Sequence, residues 1–305
     1  QLVAQAAAAP WPQRPRVIWS GNNEIWDDLF KAWAAGKVEK GSPLVIGQHG
    51  GHYGIGLWSF TEEHQLAISD YYLSWGWKDG QNKIVPLGQL KAKRPLDVHH
   101  EKQPRALMVV AAHPRLSYWM YSTPVAGQWL DYFADQFRFV EKLPPAIRVW
   151  LTVRLYPHDF GWDQYARWHD RFPELCLDRG DTSMLDRMRE SRLYISTYNA
   201  TTFLESLTME IPTVMYWNPR HGELRDSARP YFEELSRVGI FHTSPESAAR
   251  HVAAVWNDVD AWWGSAVVRG VREVFKAQYC ARPPDLLDRV EQILRGVEER
   301  EVAGT

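Results

Sequence analysis

The chain has 305 residues, enough for about two domains of roughly 150 residues each, and its 45% apolar and 24% charged content is globular rather than disordered or fibrous. Thirty-five basic residues stand against 37 acidic ones, a formal charge of −2 that excludes the basic character of a nucleic-acid binder. Two cysteines, Cys176 and Cys280, exclude a disulfide scaffold and a four-cysteine zinc site and fit a reducing compartment. No run approaches roughly 18 uninterrupted apolar residues, so no membrane-spanning helix is expected. The Ala-rich start, Gln1 to Pro10, lacks the basic segment and long apolar core of a signal peptide. It also lacks an initiator Met, so a processed or excised piece is expected.

Short apolar runs alternate with amphipathic stretches, the pattern of βα units around a parallel sheet. Arg16–Ser20 reads as a strand and Asn22–Ala35 as a helix with Ile25, Trp26, Leu29, Phe30 and Trp33 on its apolar face. Pro43–Gly47 is a strand that runs into the glycine-rich loop Gln48–Gly56. Glu62–Ile68 is a short helix and Tyr71–Trp77 another strand. Lys91–Arg105 is polar and without apolar periodicity, a linker or long surface loop whose His99 and His100 read as solvated. Beyond it, strands are expected at Ala106–Ala112, Val149–Tyr156, Leu175–Leu177, Leu193–Thr197, Thr213–Trp217 and Ile240–His242. Helices fall near 127–142, 161–171, 182–190, 200–210 and 227–238. The result is an α/β chain of two Rossmann-like lobes: a partial first lobe over 1–95, expected to be truncated, a second over 106–245, and a helical tail over 246–305. The tail ends in the mixed-charge helix Asp285–Arg300, a solvated or packing helix rather than a basic membrane-surface one.

Sixteen tryptophans, about 5% of the chain, are several times ordinary usage. They suit either aromatic core packing or flat surfaces on which sugar rings stack. Open α/β sheets bind ligands at the carboxyl ends of their strands, near a switch in strand order, so the residues after each strand are the candidates. Arg154 near the end of the strand at 149–156 and His158 in the loop after it suit a fork for a phosphate or carboxylate and a hydrogen-bond donor. An Arg–Asp ion pair closing the loop is the alternative. Asn199, Thr201 and Thr202 open a helix whose free N–H groups and dipole favour an anion, with Glu205 one turn on for a ribose diol. Ordinary capping is the alternative there. In the first lobe His49 heads a loop with four glycines in nine residues and suits a general base or electrostatic donor. The loop is neither a P-loop nor a GxGxxG fingerprint. Glu62 and Glu63 open the next helix as dipole complements, with Glu63 kept as a catalytic candidate, and Asp70 suits a nucleophile or base. No HExxH or CxxC pattern supports a metal.

Four segments together, GQHGGHYGIG (47–56), EEHQLAISDYYLSWGW (62–77), VRLYPHDFGW (153–162) and STYNATTFLESLTMEIPTVMYWNP (196–219), resemble a bacterial family of surface-carbohydrate transferases found with O-antigen and capsule gene sets. The likeness covers roughly residues 40–245. More distantly the chain resembles GT-B glycosyltransferases, including retaining β-Kdo transferases and polysialyl- and glycerophosphate-transferases. The resemblance implies a nucleotide-sugar donor on the second lobe, around Arg154, His158, Asn199, Thr201, Thr202 and Glu205, and an acceptor facing the first, with His49 and Asp70 near the anomeric carbon. In related CMP-sugar transferases a His-Pro pair and a Ser/Thr pair touch CMP. Thr201-Thr202 matches the second pair, while Pro157-His158 reverses the first and leaves His113-Pro114 as its rival.

The expected activity is therefore a metal- and cofactor-independent glycosyltransferase whose donor is a CMP-linked acidic sugar such as Kdo or a similar nucleotide sugar. Its acceptor is a carbohydrate or lipid-linked glycan, reached from the cytoplasm or the inner face of the membrane, with peripheral contact open. A nucleotide-sugar epimerase or phosphotransferase, and a non-catalytic nucleotide- or carbohydrate-binding lobe of a larger assembly, are the other readings.

Overall fold

A computed structural model describes residues 1–90, 104–117 and 120–304. The chain divides into two compact units: residues 1–54, 59–92 and 277–305 form the first, and residues 55–58 and 93–276 the second. The polar stretch that carries His99 and His100 lies outside the described residues.

The first unit contains α1 (Leu2–Ala8), β1 (Ile18–Ser20), α2 (Asn23–Trp26), α3 (Asp28–Val38), β2 (Leu44–Gly47), α4 (Phe60–Ile68), β3 (Tyr71–Ser74) and β4 (Ile84–Pro86). Its four strands pair in parallel in the order β1-β2-β3-β4. The single helix expected over 22–35 is broken at Asp27, whose extended backbone ends α2 while its carboxylate accepts the Phe30 N–H at 3.0 Å and caps α3. An acid that caps outward interrupts a helix that apolar spacing alone would continue.

The second unit contains β5 (Ala106–Val109), α5 (Gln128–Lys142), α6 (Pro145–Arg148), β6 (Leu151–Arg154), α7 (Gln164–Arg171), β7 (Cys176–Asp178), α8 (Met184–Arg189), β8 (Leu193–Ser196), α9 (Thr201–Thr208), β9 (Thr213–Tyr216), α10 (Arg229–Arg237), β10 (Phe241–His242), α11 (Pro245–Val255) and α12 (Val259–Gly264). Next come α13 (Ala266–Tyr279), which runs to the boundary between the units, and α14 (Leu286–Gly304). The six strands are all parallel, in the order β7-β6-β5-β8-β9-β10. The order reverses between β5 and β8, as in a doubly wound Rossmann sheet. Strands β5, β8 and β9 are buried along their whole length, which is why they read as unbroken apolar runs.

The helical tail expected over 246–305 is not one body. Helices α11 and α12 stay with the second unit, whereas residues from 277 onward belong to the first. There, Ala281 donates to the Trp75 carbonyl at 2.9 Å and accepts from the Gln89 N–H at 2.8 Å, and Val290 and Val297 of α14 pack with Val45, Leu73 and Leu87. Of the two readings of this mixed-charge helix, solvated or packing, the second holds. In the opposite sense, residues 55–58 leave the first unit: Gly56 bridges Leu224, and its carbonyl accepts twice from the Arg225 guanidinium at 3.1 Å. Most tryptophans pack: Trp75, Trp77, Trp129 and Trp168 are fully buried, while Trp26 and Trp58 are exposed.

The histidine pair His242 and His251 is expected to make stability pH-dependent. Gly239 holds φ at +79° directly over the His251 ring, where a Cβ would meet Cε1 at 2.2 Å, so this position admits only glycine. Burial, helped by the neighbouring His242, pushes the His251 imidazole down to about 4. Burial lowers His242 as well. The unfolded chain therefore takes up these protons first, and a penalty on the fold grows as pH falls from about 6.5 towards 4. Solvent screening leaves roughly 2 kcal/mol of it for His251. Melting temperatures measured through this window should fall less in His251→Gln than in the parent chain; parallel curves would refute the assignment.

Candidate functional site

In the second unit the switch in strand order lies between the carboxyl ends of β5 and β8. A chain of hydroxyls joins them. The Ala111 N–H donates to the Tyr132 hydroxyl at 2.8 Å, which lies 2.7 Å from Thr197 Oγ1, and Thr197 donates to the Val109 carbonyl at 2.9 Å. With both ends assigned, every proton in the chain has one direction, from Tyr132 to Thr197. Burial pushes the Tyr132 phenol far above its ordinary value, so it stays a neutral donor. Beside this relay lies a narrow crevice with a free volume of about 10 Å³, lined by Thr123, Tyr132, Gln136, Asn199 and Trp217 among others.

Asn199 is 6% exposed, and neither its amide nitrogen nor its amide oxygen has a hydrogen-bond partner in the protein. It lies two residues before α9, whose N-cap position, Ala200, supplies no side-chain cap. Ordinary capping therefore does not account for Asn199: the first N–H groups of α9 and a buried amide stand together without a side-chain cap, at the end where the helix dipole is positive. Thr201, Thr202 and Glu205 are half-buried along the first turns. Thr202 lies beside the Tyr198 phenol; burial is the main cause that raises that phenol, and the charges of Tyr156 and Glu205 add to it.

Arg154 is placed otherwise than expected. It pairs in register with Asp178 across β6 and β7, donates to its Oδ2 at 2.7 Å, and gives a second bond to the Thr182 carbonyl at 2.7 Å. Burial works against the Asp178 carboxylate, but the Gly180 N–H and Arg154 outweigh it and hold its pKa below the usual range. The guanidinium closes a loop; it is not a phosphate fork. His158 is exposed in the loop after β6. His113 lies in the segment that follows β5, beyond Val110, Ala111 and Ala112, half-buried, 3.4 Å from Thr123 Oγ1, with its pKa lowered by burial.

In the first unit, the carboxyl ends of β1 and β2 carry the polar groups. His49 is half-buried with its ring against Tyr53 at a centroid distance of 5.2 Å. Glu62, not Glu63, holds the glycine-rich loop: its Oε2 accepts the Gly54 N–H at 2.7 Å, whereas Glu63 lies on the exposed face of α4. Gly54 itself has φ +72° over the Trp77 indole. Asp70 stands at the opposite, amino-terminal edge of the sheet. It precedes β3 and accepts the Leu44 N–H at 2.7 Å, which removes it from the edge where a nucleophile is needed. Sequence reasoning missed Glu24, 2% exposed after β1, which accepts from Ser20 Oγ at 2.5 Å and Gln65 Nε2 at 2.6 Å. An acid in a helical first turn carries the pattern of an ordinary dipole complement, which gives no signal of these partners. Among the described residues no three His, Cys, Asp or Glu side chains group to hold a metal, and no helix is long and apolar enough to cross a membrane.

Two parallel-sheet α/β units, one of them in Rossmann order with an uncapped helix at its switch point, define a two-lobed protein of the GT-B fold. The chain belongs to the LIC12162 family of transferases, whose model matches residues 1–294. Among solved structures it is similar to an alpha,alpha-trehalose 6-phosphate synthase from Burkholderia multivorans (12% identity, TM-score 0.51, 99% of this chain and 75% of that one). It is similar also to a protein of Listeria monocytogenes described as a candidate UDP-N-acetylglucosamine 2-epimerase (13% identity, TM-score 0.51, 90% and 75%). At these identities the likeness is one of fold. No curated protein matches the chain by sequence.

Proposed function

We propose that this transferase is a glycosyltransferase that moves a sugar from a nucleotide-activated donor to a carbohydrate or lipid-linked acceptor of a surface polysaccharide. The observation that carries the reading is the start of α9: backbone N–H groups and the buried, unpartnered Asn199 amide, side by side at the strand-order switch. Such an end meets a donor phosphate without metal or organic cofactor. As the bond from the anomeric carbon to phosphate breaks, the phosphate keeps the electron pair, and these donors are aimed at that growing charge. The acceptor oxygen forms the new bond and its proton passes to a base. Thr201, Thr202 and Glu205 line the nucleotide side of the site. A CMP-linked acidic sugar such as Kdo is the first donor to test, with O-antigen or capsule as product and the inner face of the cell membrane, through peripheral contact, as the place of action.

Thermal shift against CMP, UDP, GDP, ADP and their sugar conjugates tests the reading. A ligand at about 100 times its Kd adds about 2.7 kcal/mol. A shift with CMP and CMP-Kdo alone supports the acidic donor. A shift with UDP or GDP keeps the activity and replaces the donor, and silence with every nucleotide overturns the reading.

A further inference from the structure

We propose that the loop after β6 is a stacking platform for the base of the donor nucleotide, built from Tyr156 and Phe160 with His158 beside them. The inference rests on the reading of α9 as the phosphate end. Three rings lie at the surface on five residues: Tyr156 is 40% and Phe160 38% exposed, and His158 is exposed too. Tyr156 and Phe160 stack at 5.7 Å with 29° between planes, and the His158 ring lies 6.3 and 6.0 Å from them.

Exposed aromatic rings on a loose loop would fold inward. These are held out. Asp159 accepts the N–H groups of Asp163 and Gln164 at 2.7 and 2.6 Å, and the Gln164 amide returns to the Tyr156 carbonyl at 2.8 Å. The Trp162 indole N–H ties the loop to the His113 carbonyl after β5 at 2.9 Å, and Pro157 packs on Gly180, where a Cβ would come within 2.7 Å. Phe160 keeps φ at +55° and Asp163 at +53°, a conformation that costs a non-glycine residue on the order of 1 kcal/mol each. The fold sustains this strain to present a pre-set aromatic surface.

Position decides the ligand. β6 and β8 are separated in the sheet by β5 alone, so their carboxyl ends stand about 10 Å apart. A nucleotide spans a comparable length from phosphate to base. Tyr156 also lies close enough to act electrostatically on Tyr198, the residue before Asn199. A phosphate at α9 therefore puts its base within reach of the rings. Every base has a π-face, so the platform supplies affinity rather than choice among bases.

The test compares Tyr156→Ala, Phe160→Ala and the parent chain by calorimetric titration with the nucleotide that shifts the parent, and with pyrophosphate, which has no base. Stacking is worth enough that each substitution should weaken the nucleotide about tenfold or more. Pyrophosphate binding and the melting temperature should be unchanged. Nucleotide affinity kept in both variants overturns the platform while the α9 reading stands. Equal loss of nucleotide and pyrophosphate also overturns it, because the loop then acts on the phosphate end. A parent chain that binds no nucleotide takes both readings down together.

Discussion

Arg154→Met is expected to lower the stability of the chain by about 2–3 kcal/mol and to leave nucleotide affinity unchanged. Arg154 and Asp178 are 9% and 3% exposed in their side chains, and removing one partner of such a pair strands the other in low dielectric. The loss is held below that of a lone pair because Arg187 Nε also reaches Asp178 Oδ2 at 3.0 Å, and Thr182 and Gly180 donate to the same carboxylate. Denaturant titration reads the stability and calorimetry the affinity. Asp178→Asn should lose a similar amount, and the double variant less than the sum, because the two share one interaction. A variant as stable as the parent that binds nucleotide tenfold more weakly would return Arg154 to the phosphate site.

The contrast between Arg154 and Asn199 shows how far a sequence can be read here. Strand positions, strand direction and the edge for a ligand follow from runs such as Ala106–Ala112 and Leu193–Thr197, because strands buried on both faces are apolar throughout. Which polar residue at that edge is left for a ligand depends on partners far away in the chain. Arg154 meets Asp178 across a strand pair, and Tyr132 meets Thr197 from 65 residues away. Asp70 precedes its strand and so sits at the wrong edge; that was legible from its place before Tyr71 once strand direction is considered. Glu62 and Glu63 cannot be told apart by composition, since one helical step turns one inward to Gly54 and the other to water. The return of residues from 277 onward to the first unit rests on Val290 and Val297, with Leu286, Ile293 and Leu294 packed beside them in a charged helix.

Asn199→Ala should move stability and function in opposite directions. In the free chain the Asn199 amide is buried with both polar atoms unpaired, a state that costs roughly 1–3 kcal/mol. Removing the amide removes that cost, offset by the smaller loss of packing in a residue at the crevice wall, so the free variant should melt at the same temperature as the parent or above it. Once a nucleotide is bound, the same amide bonds a charged group, worth about 1.5–3 kcal/mol. Its loss should then weaken the nucleotide about 10- to 100-fold. Such opposed signs mark a residue kept for binding at the expense of the fold. A purely structural asparagine gives the reverse result: the variant melts lower and binds nucleotide as the parent does. Asn199→Asp sharpens the comparison, because a carboxylate beside the start of α9 satisfies the helix dipole but repels phosphate. That variant should be the weakest binder, and its affinity should recover in part as pH falls and the carboxylate takes up a proton.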